Sequence, residues 1–269
     1  MEVSLTRVFP RPPDGPDRES DLDPVVEIAA EQRRLGPAGT EPARPWVLTN
    51  MISTLDGAIS IDGRSTGLGG PADARVFAAL RAVADVIIVG ATTAAAERYR
   101  RPATSDEVRF ARQARGQAAT PRLAIVSGSL SIPLDLPAFD STEDPDEQVL
   151  VFTGSDAPAA RVEALSAVAE VIVEPSRSVA PAQILGQLWR RGIRIALLEG
   201  GPTLNGHFAA AGLIDEWDLT LSPLVVGGTA SRAASGPTVE TPLGLELARL
   251  WTGGGLVFGR WVRAESLLY

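Results

Sequence analysis

Cysteine and lysine are both missing from this chain, and histidine occurs once, at His207. Without cysteine there is no disulfide framework, no thiolate zinc site and no cysteine nucleophile. Without lysine there is no P-loop ammonium, no Schiff base and no pyridoxal-phosphate anchor, so all 25 basic residues are arginine. A single imidazole excludes a two-histidine metal site, and no metal is expected. A Ser-His-Asp hydrolase would need His207, yet no G-x-S-x-G elbow accompanies it. The acids left for chemistry are the carboxyls, two tyrosines and that one imidazole.

Long apolar runs are also lacking. No stretch reaches about 18 uncharged apolar residues, so no membrane span is expected. The first residues, MEVSLTRVFPRPPDG, have no apolar signal core, and a cytoplasmic location is expected. The net charge of −8 disfavours nucleic acid or an anionic membrane as a partner. What is present suffices for a buried core: 45% of the 269 residues are hydrophobic.

Residues 1–44 hold seven prolines and nine acids and read as an extension outside the core, with one short helix near Pro24–Leu35. The folded domain is expected to run over 45–269. There, β-branched apolar runs recur at Trp46–Ile52, Val86–Val89, Leu123–Val126, Val149–Phe152, Val171–Val173 and Ile193–Leu198. Helical stretches separate most of them: Pro71–Val83, Asp106–Arg115, Ala157–Val168, Pro181–Arg191 and Pro202–Ala211. This alternation predicts an α/β domain with a mostly parallel sheet flanked by helices. Trp217–Val226 and Leu256–Ala264 lack a helix between them and predict a terminal antiparallel strand pair.

The sharpest local feature is Leu197-Leu198-Glu199-Gly200-Gly201-Pro202-Thr203-Leu204-Asn205-Gly206. A buried strand runs into two glycines and then a proline at the first helical position. Bare amides with a helix dipole behind them suit a pyrophosphate, and an unliganded tight turn is the plain alternative. Gly90 followed by Thr92 and Thr93, and Ser127 after Leu123–Val126, place further small residues at strand ends. In an open parallel sheet those carboxyl ends form the ligand edge. Asp56, in Thr54-Leu55-Asp56-Gly57, reads either as a hairpin turn joining Trp46–Ile52 to Ala58–Ile61 or as an acid whose pKa burial would raise. Seven arginines between Arg98 and Arg122 face two acids, and read as a solvated helix face or a phosphate-recognising rim.

RPWVLTNMISTLDGAIS, STGLGGPADARVFAALRAVADVIIVGATTAAAE and LLEGGPTLNGHFAAAGLIDEWDLTLSPLVVGG together resemble the reductase half of bacterial bifunctional riboflavin-biosynthesis proteins. The chain is most similar to stand-alone actinobacterial members of that group, the pyrimidine reductase family. The resemblance implies a dihydrofolate-reductase-like fold and NADPH-dependent reduction of 5-amino-6-(5-phosphoribosylamino)uracil to its ribityl form. It places Ile52, Gly67, Thr93 and Glu97, with Gly90, along the nicotinamide and ribose, and Ser127 near the 2′-phosphate. Gly200, Gly201, Pro202, Thr203, Leu204, Asn205 and Gly206 would hold the pyrophosphate. Ser65, Arg81 and Glu199 would face the substrate, with Asp56 near the reacting carbon, so that Asp56 and Glu199 are the expected catalytic acids. Asn50 stands where many members carry a substrate-directed lysine, and Arg98-Tyr99-Arg100-Arg101 replaces the usual arginine-bearing loop. A homodimer is expected from the resemblance and the C-terminal strands. Dihydrofolate reduction, or nucleotide binding without turnover, remain the other readings.

Overall fold

In this computed structural model the described residues are 5–9, 44–142 and 144–263. They build one ten-stranded sheet in the order β1-β9-β10-β8-β2-β7-β3-β4-β5-β6. The strands are β1 (Thr6–Phe9), β2 (Trp46–Thr54), β3 (Val86–Gly90), β4 (Arg122–Val126), β5 (Leu150–Gly154), β6 (Glu170–Glu174), β7 (Ile195–Leu198), β8 (Glu216–Ser222), β9 (Leu245–Gly253) and β10 (Leu256–Arg263). The helices are α1 (Pro71–Val83), α2 (Ala91–Ala96), α3 (Asp106–Ala114), α4 (Ala159–Ser166), α5 (Pro181–Arg190) and α6 (Pro202–Ala210). From β8 to β6 all neighbours run parallel, while β10, β9 and β1 continue the sheet antiparallel.

The parallel strands are apolar on both faces, as burial under two helical layers requires. Leu48, Ile87, Leu123 and Leu197 pack with Ala72, Val76, Ala79, Leu80 and Val83 of α1. On the other face Val47, Val86, Ile88, Phe152, Ala196 and Leu198 pack with Ile184, Leu185 and Leu188 of α5 and Phe208 of α6. Along β2 the alternation therefore puts Leu48, Asn50 and Ile52 toward α1 and Val47, Met51 and Ser53 toward the opposite layer.

Two strands depart from the expected plan. Thr6–Phe9 pairs with β9, and Leu5 beside it is only 4% exposed. Part of the segment expected outside the core thus completes the sheet edge; the helix expected near Pro24–Leu35 lies outside the described residues. The antiparallel pair β8–β10 is present as anticipated, but β9 extends it. Gly253 pairs with Leu256 across a two-residue turn in which Gly254 and Gly255 have φ of 61° and 81°. That double positive φ is the hairpin geometry glycine supplies at least strain.

The end of α1 is closed by a strap from residues 112–118. Arg112, fully buried, donates to the carbonyls of Ala118 (2.9 Å), Ala82 (3.0 Å) and Ala84 (2.7 Å). Gln117 adds a bond to Val83 O at 2.8 Å. Burial pulls the Arg112 pKa down to about 10, with Asp85 opposing it, so the guanidinium stays charged at neutral pH. Arg112→Met leaves Ala84 and Ala118 carbonyls without that donor and is expected to lower stability by about 3 kcal/mol. Urea unfolding of the variant checks this, and an unchanged midpoint contradicts it.

Candidate active site

The carboxyl ends of β2, β7, β3 and β4 meet in one rim. At β3 and β7 two backbones touch. Gly90 N donates to Gly200 O at 2.6 Å, and a Cβ on Gly90 would sit 3.5 Å from Gly201 N. Gly200 has a φ of +87°, a conformation that favours glycine, and its peptide to Gly201 is cis. A Cβ there would press on Asn205 and on Met51 Sδ, at 3.4 and 3.6 Å. Gly201 has an ordinary φ of −62°, but a Cβ on it would run into Thr93 Oγ1. Beyond it Pro202 opens α6, whose first-turn N–H groups at Thr203 and Leu204 lack intrahelical acceptors. Asn205 is fully buried; its amide donates to Ala233 O at 2.9 Å, and its Oδ1 has no partner among the described residues. The residues present fit a dinucleotide pyrophosphate: two walls without side chains, a helix N-terminus and a buried unpartnered acceptor.

Beside this cradle, on the α1 face, lies a polar cleft. Glu199, 7% exposed, leaves β7 and receives Arg81 Nε and Nη2, both at 2.7 Å, and the Tyr99 hydroxyl at 2.7 Å. The Arg81 guanidinium lies 4.2 Å from the Phe77 ring centre and 5.7 Å from that of Tyr99. Burial opposes the charge on Arg81, but the Glu199 bonds outweigh it and raise the pKa. Burial, aided by the Glu199 charge, lifts the Tyr99 hydroxyl well above its usual value. Glu199 and Arg81, both expected to face a substrate, are spent largely on each other, with only Nη1 of the guanidinium outside those bonds. Glu97 Oε1 accepts from Ser65 N at 3.2 Å and Ser65 Oγ at 3.3 Å, which ties the loop bearing Gly67 to the end of α2. Gly67, at a φ of +101°, is exposed. Half-buried Asn50 and Ile52 form the floor.

Three expectations need correction. Asp56 is exposed, and no hairpin follows it: Thr54 N bonds Ala58 O at 2.8 Å and Ala58–Ile61 forms no strand. Its Oδ1 accepts from the Thr54 hydroxyl and its Oδ2 from Val226 N (3.1 Å) and Gly227 N (2.6 Å). Those bonds, Thr54 first and Gly227 next, lower its pKa instead of raising it, so it is a loop anchor and a poor proton donor at neutral pH. It lines a cleft of about 440 Å³ with Ser53, Trp217, Leu219 and Arg232, on the face away from Asn50 and Ile52. Ser127 is buried, with its Oγ accepting from Leu130 N at 3.0 Å, so it closes its own turn. The arginines of 98–122 are not a plain solvated face: Arg98 and Arg100 are exposed, but three others are engaged within the fold. Arg112 closes α1, Arg101 donates to Asp140 and Ser141 carbonyls, and Arg122 pairs with Glu170 at 2.6 Å.

One group escaped the sequence reading. Asp73, on α1, accepts from Thr220 Oγ1 of β8 at 2.8 Å across 147 residues of chain. Burial raises its pKa, and the Thr220 bond acts against that. Only the register of β8 against β2, which sets Thr220 opposite Ile52, places it beside the cleft.

The sheet order, the helical layers and the antiparallel end define a dihydrofolate-reductase-like α/β fold. Within it the chain belongs to the family of RibD C-terminal domains, whose sequence model matches residues 45–257. It is 32% identical over 189 residues to the 2,5-diamino-6-ribosylamino-4(3H)-pyrimidinone 5′-phosphate reductase of Archaeoglobus fulgidus, covering 70% of this chain and 84% of that protein. The reductase of the same name from Methanothermobacter thermautotrophicus is 31% identical over 215 residues, covering 78% of this chain and 94% of the relative. Among solved structures, a pyrimidine reductase-like protein from Corynebacterium diphtheriae superposes with a TM-score of 0.74 at 28% identity, covering 81% of this chain and 91% of that one.

The cradle makes a steric prediction independent of any ligand. Gly201→Ala should destabilise by about 2 kcal/mol through overpacking against Thr93. The double variant Gly201→Ala with Thr93→Ala should regain most of it, since the clashing hydroxyl is gone. Thermal unfolding of the two variants measures the coupling, and additive losses would contradict the contact.

Proposed function

We propose that this chain is an NADPH-dependent reductase of a ribosylaminopyrimidine phosphate, converting the ribosyl group to the ribityl form. The observation that carries the reading is the continuity of two half-sites across β2, β7 and β3. A side-chain-free cradle suited to pyrophosphate opens beside a cleft bearing Asn50, Ile52, Ser65, Arg81 and Glu199. The reductases named above act on a pyrimidine of this kind, which supports the substrate class.

When bound, the reduced nicotinamide supplies a hydride. The protein's own part is positioning. Bare backbone at Gly90, Gly200 and Gly201 admits the dinucleotide closely, and the first turn of α6 favours its negative charge. Ile52 floors the reacting region. Ser65 and Glu97 hold the Gly67 loop over it. Asn50 brings a neutral amide where many family members have a cation, so substrate charge is met by the remaining donor edge of Arg81. Arg81 is preoriented by two bonds to Glu199 and by the Phe77 ring, which limits the entropy lost when a substrate arrives. Glu199 accepts from three donors and orients them.

The enzyme acts in the cytoplasm as a homodimer in this reading. Trp217, Leu219, Leu221, Val257 and Trp261, all half-buried, share the sheet face opposite α1 and offer an apolar surface for a second copy. Light scattering should give twice the 28.3 kDa chain mass, and a single-chain mass would refute the dimer.

The activity is tested by following dinucleotide oxidation with the phosphoribosylaminopyrimidine, with dihydrofolate and with no acceptor. Oxidation of NADPH, faster than of NADH, with the pyrimidine alone is expected. Turnover only with dihydrofolate would replace the substrate, and tight NADPH binding without any turnover would leave a nucleotide-binding protein.

A further inference from the structure

We infer that Asp73 is the acid that delivers the proton accompanying hydride transfer. The inference rests on the reductase reading above and gives the proton to a carboxyl other than Asp56, whose bonds lower its pKa, and Glu199, which is bonded to Arg81 and Tyr99.

Asp73, Phe77 and Arg81 recur at four-residue spacing and form one stripe along α1. Arg81 meets Glu199 at the end of β7, and Asp73 meets Thr220 on β8. Between β7 and β8 runs β2. Eight residues of helix span about 12 Å, and two interstrand spacings about 10 Å, so the stripe bridges the floor made by Asn50 and Ile52. Asp73 and Glu199 therefore stand at opposite sides of one cleft.

Their settings differ. Glu199 is paired with a guanidinium, whereas Asp73 accepts on Oδ1 from the neutral hydroxyl of Thr220. Its Oδ2 lies against Gly69, where a Cβ would collide with it, so the absence of a side chain at that position leaves room for the carboxyl. On β8, Asp218 precedes Thr220 by two residues on the same face. On β10, Arg260 is bonded to Glu216. On α1, Arg81 is bonded to Glu199. The loop before α1 brings exposed Asp62 and Arg64. None of these contributes to the raised pKa of Asp73, which comes from burial.

The hydride of the dihydronicotinamide forms the new C–H bond at the anomeric carbon of the substrate's ring-opened imine. The C=N π pair moves to nitrogen, nitrogen takes the Asp73 proton, and water reprotonates the carboxylate. The dinucleotide is oxidised by two electrons and the imine is reduced.

Asp73→Asn is expected to lower kcat about 100-fold or more while changing the dinucleotide Kd less than about twofold. A readout without turnover accompanies it. A raised carboxyl pKa stabilises the fold below the unfolded value, about 3.9, and that stability is lost as pH rises through the folded value. The Tm difference between Asp73→Asn and wild type should therefore move in the variant's favour as pH rises above about 4. Thr220→Val removes the bond that lowers the Asp73 pKa and should shift the alkaline fall of kcat/KM to higher pH. If Asp73→Asn does not fold, this second variant decides. Wild-type turnover with an Asp73→Asn kcat within about threefold, a pH-independent Tm difference, or an unmoved alkaline limb in Thr220→Val would each overturn the role of Asp73 and leave the reductase reading standing. A wild-type enzyme that reduces no ribosylaminopyrimidine would overturn both.

Discussion

Arg260 and Glu216 meet with side chains only 1% and 0% exposed, through bonds of 2.7 and 2.9 Å. Two charges taken so far from water are tolerated only when geometry is close to ideal and the remaining polar atoms are met. Trp46 Nε1 contributes at 3.1 Å to Glu216 Oε2. The cluster thereby clamps β10 to β8 and both to β2. Everything at the rim inherits that clamp, because Asn50 and Ile52 lie further along β2 and Thr220 further along β8. Loss of one member would leave a buried charge at the joint between the parallel and antiparallel parts of the sheet.

From this frame follows a division of labour between carboxyls. The protein places several acids near one rim and gives each a different environment. Asp56 is stabilised as an anion by a hydroxyl and two backbone amides, Glu199 by a guanidinium and a phenol, and Asp73 by a single hydroxyl. Asp56 and Asp73 are pushed in opposite directions: the bonds to Asp56 lower its pKa, whereas burial raises that of Asp73 against the Thr220 bond. Electrostatic context, more than residue type, separates anchor, orienting group and acid.

Much of the architecture could be read before any coordinates. β-branched runs between helical stretches marked six parallel strands, and prolines at 71, 181 and 202 marked helix starts that the structure places at the same residues. The glycines before Pro202 marked a turn, and there the backbones of Gly90 and Gly200 come into contact. β9 was missed because its charges at Glu246 and Arg249 dilute the apolar pattern, although Gly254-Gly255 marked the turn. β1 was missed because four residues in a proline-rich context carry little periodicity. Asp73 was invisible since its partner lies far away in sequence, and Asp56 was misjudged since two of its donors, the backbone amides of Val226 and Gly227, come from a distant loop. Arg112 looked like surface charge until its carbonyl partners at the end of α1 came into view. Backbone pairing is locally encoded; pKa values are not.

The edge strand β1 bears on how the domain is bounded. The span matching the family stops at both ends inside the sheet: it begins at residue 45, after β1, and ends at residue 257, two residues into β10. A polypeptide trimmed to that span would lose the last six residues of β10, and with them Arg260, together with the strand that covers β9. The outermost ladder would then be bare, with its amides and carbonyls open to any second chain, and insolubility on expression would be the consequence.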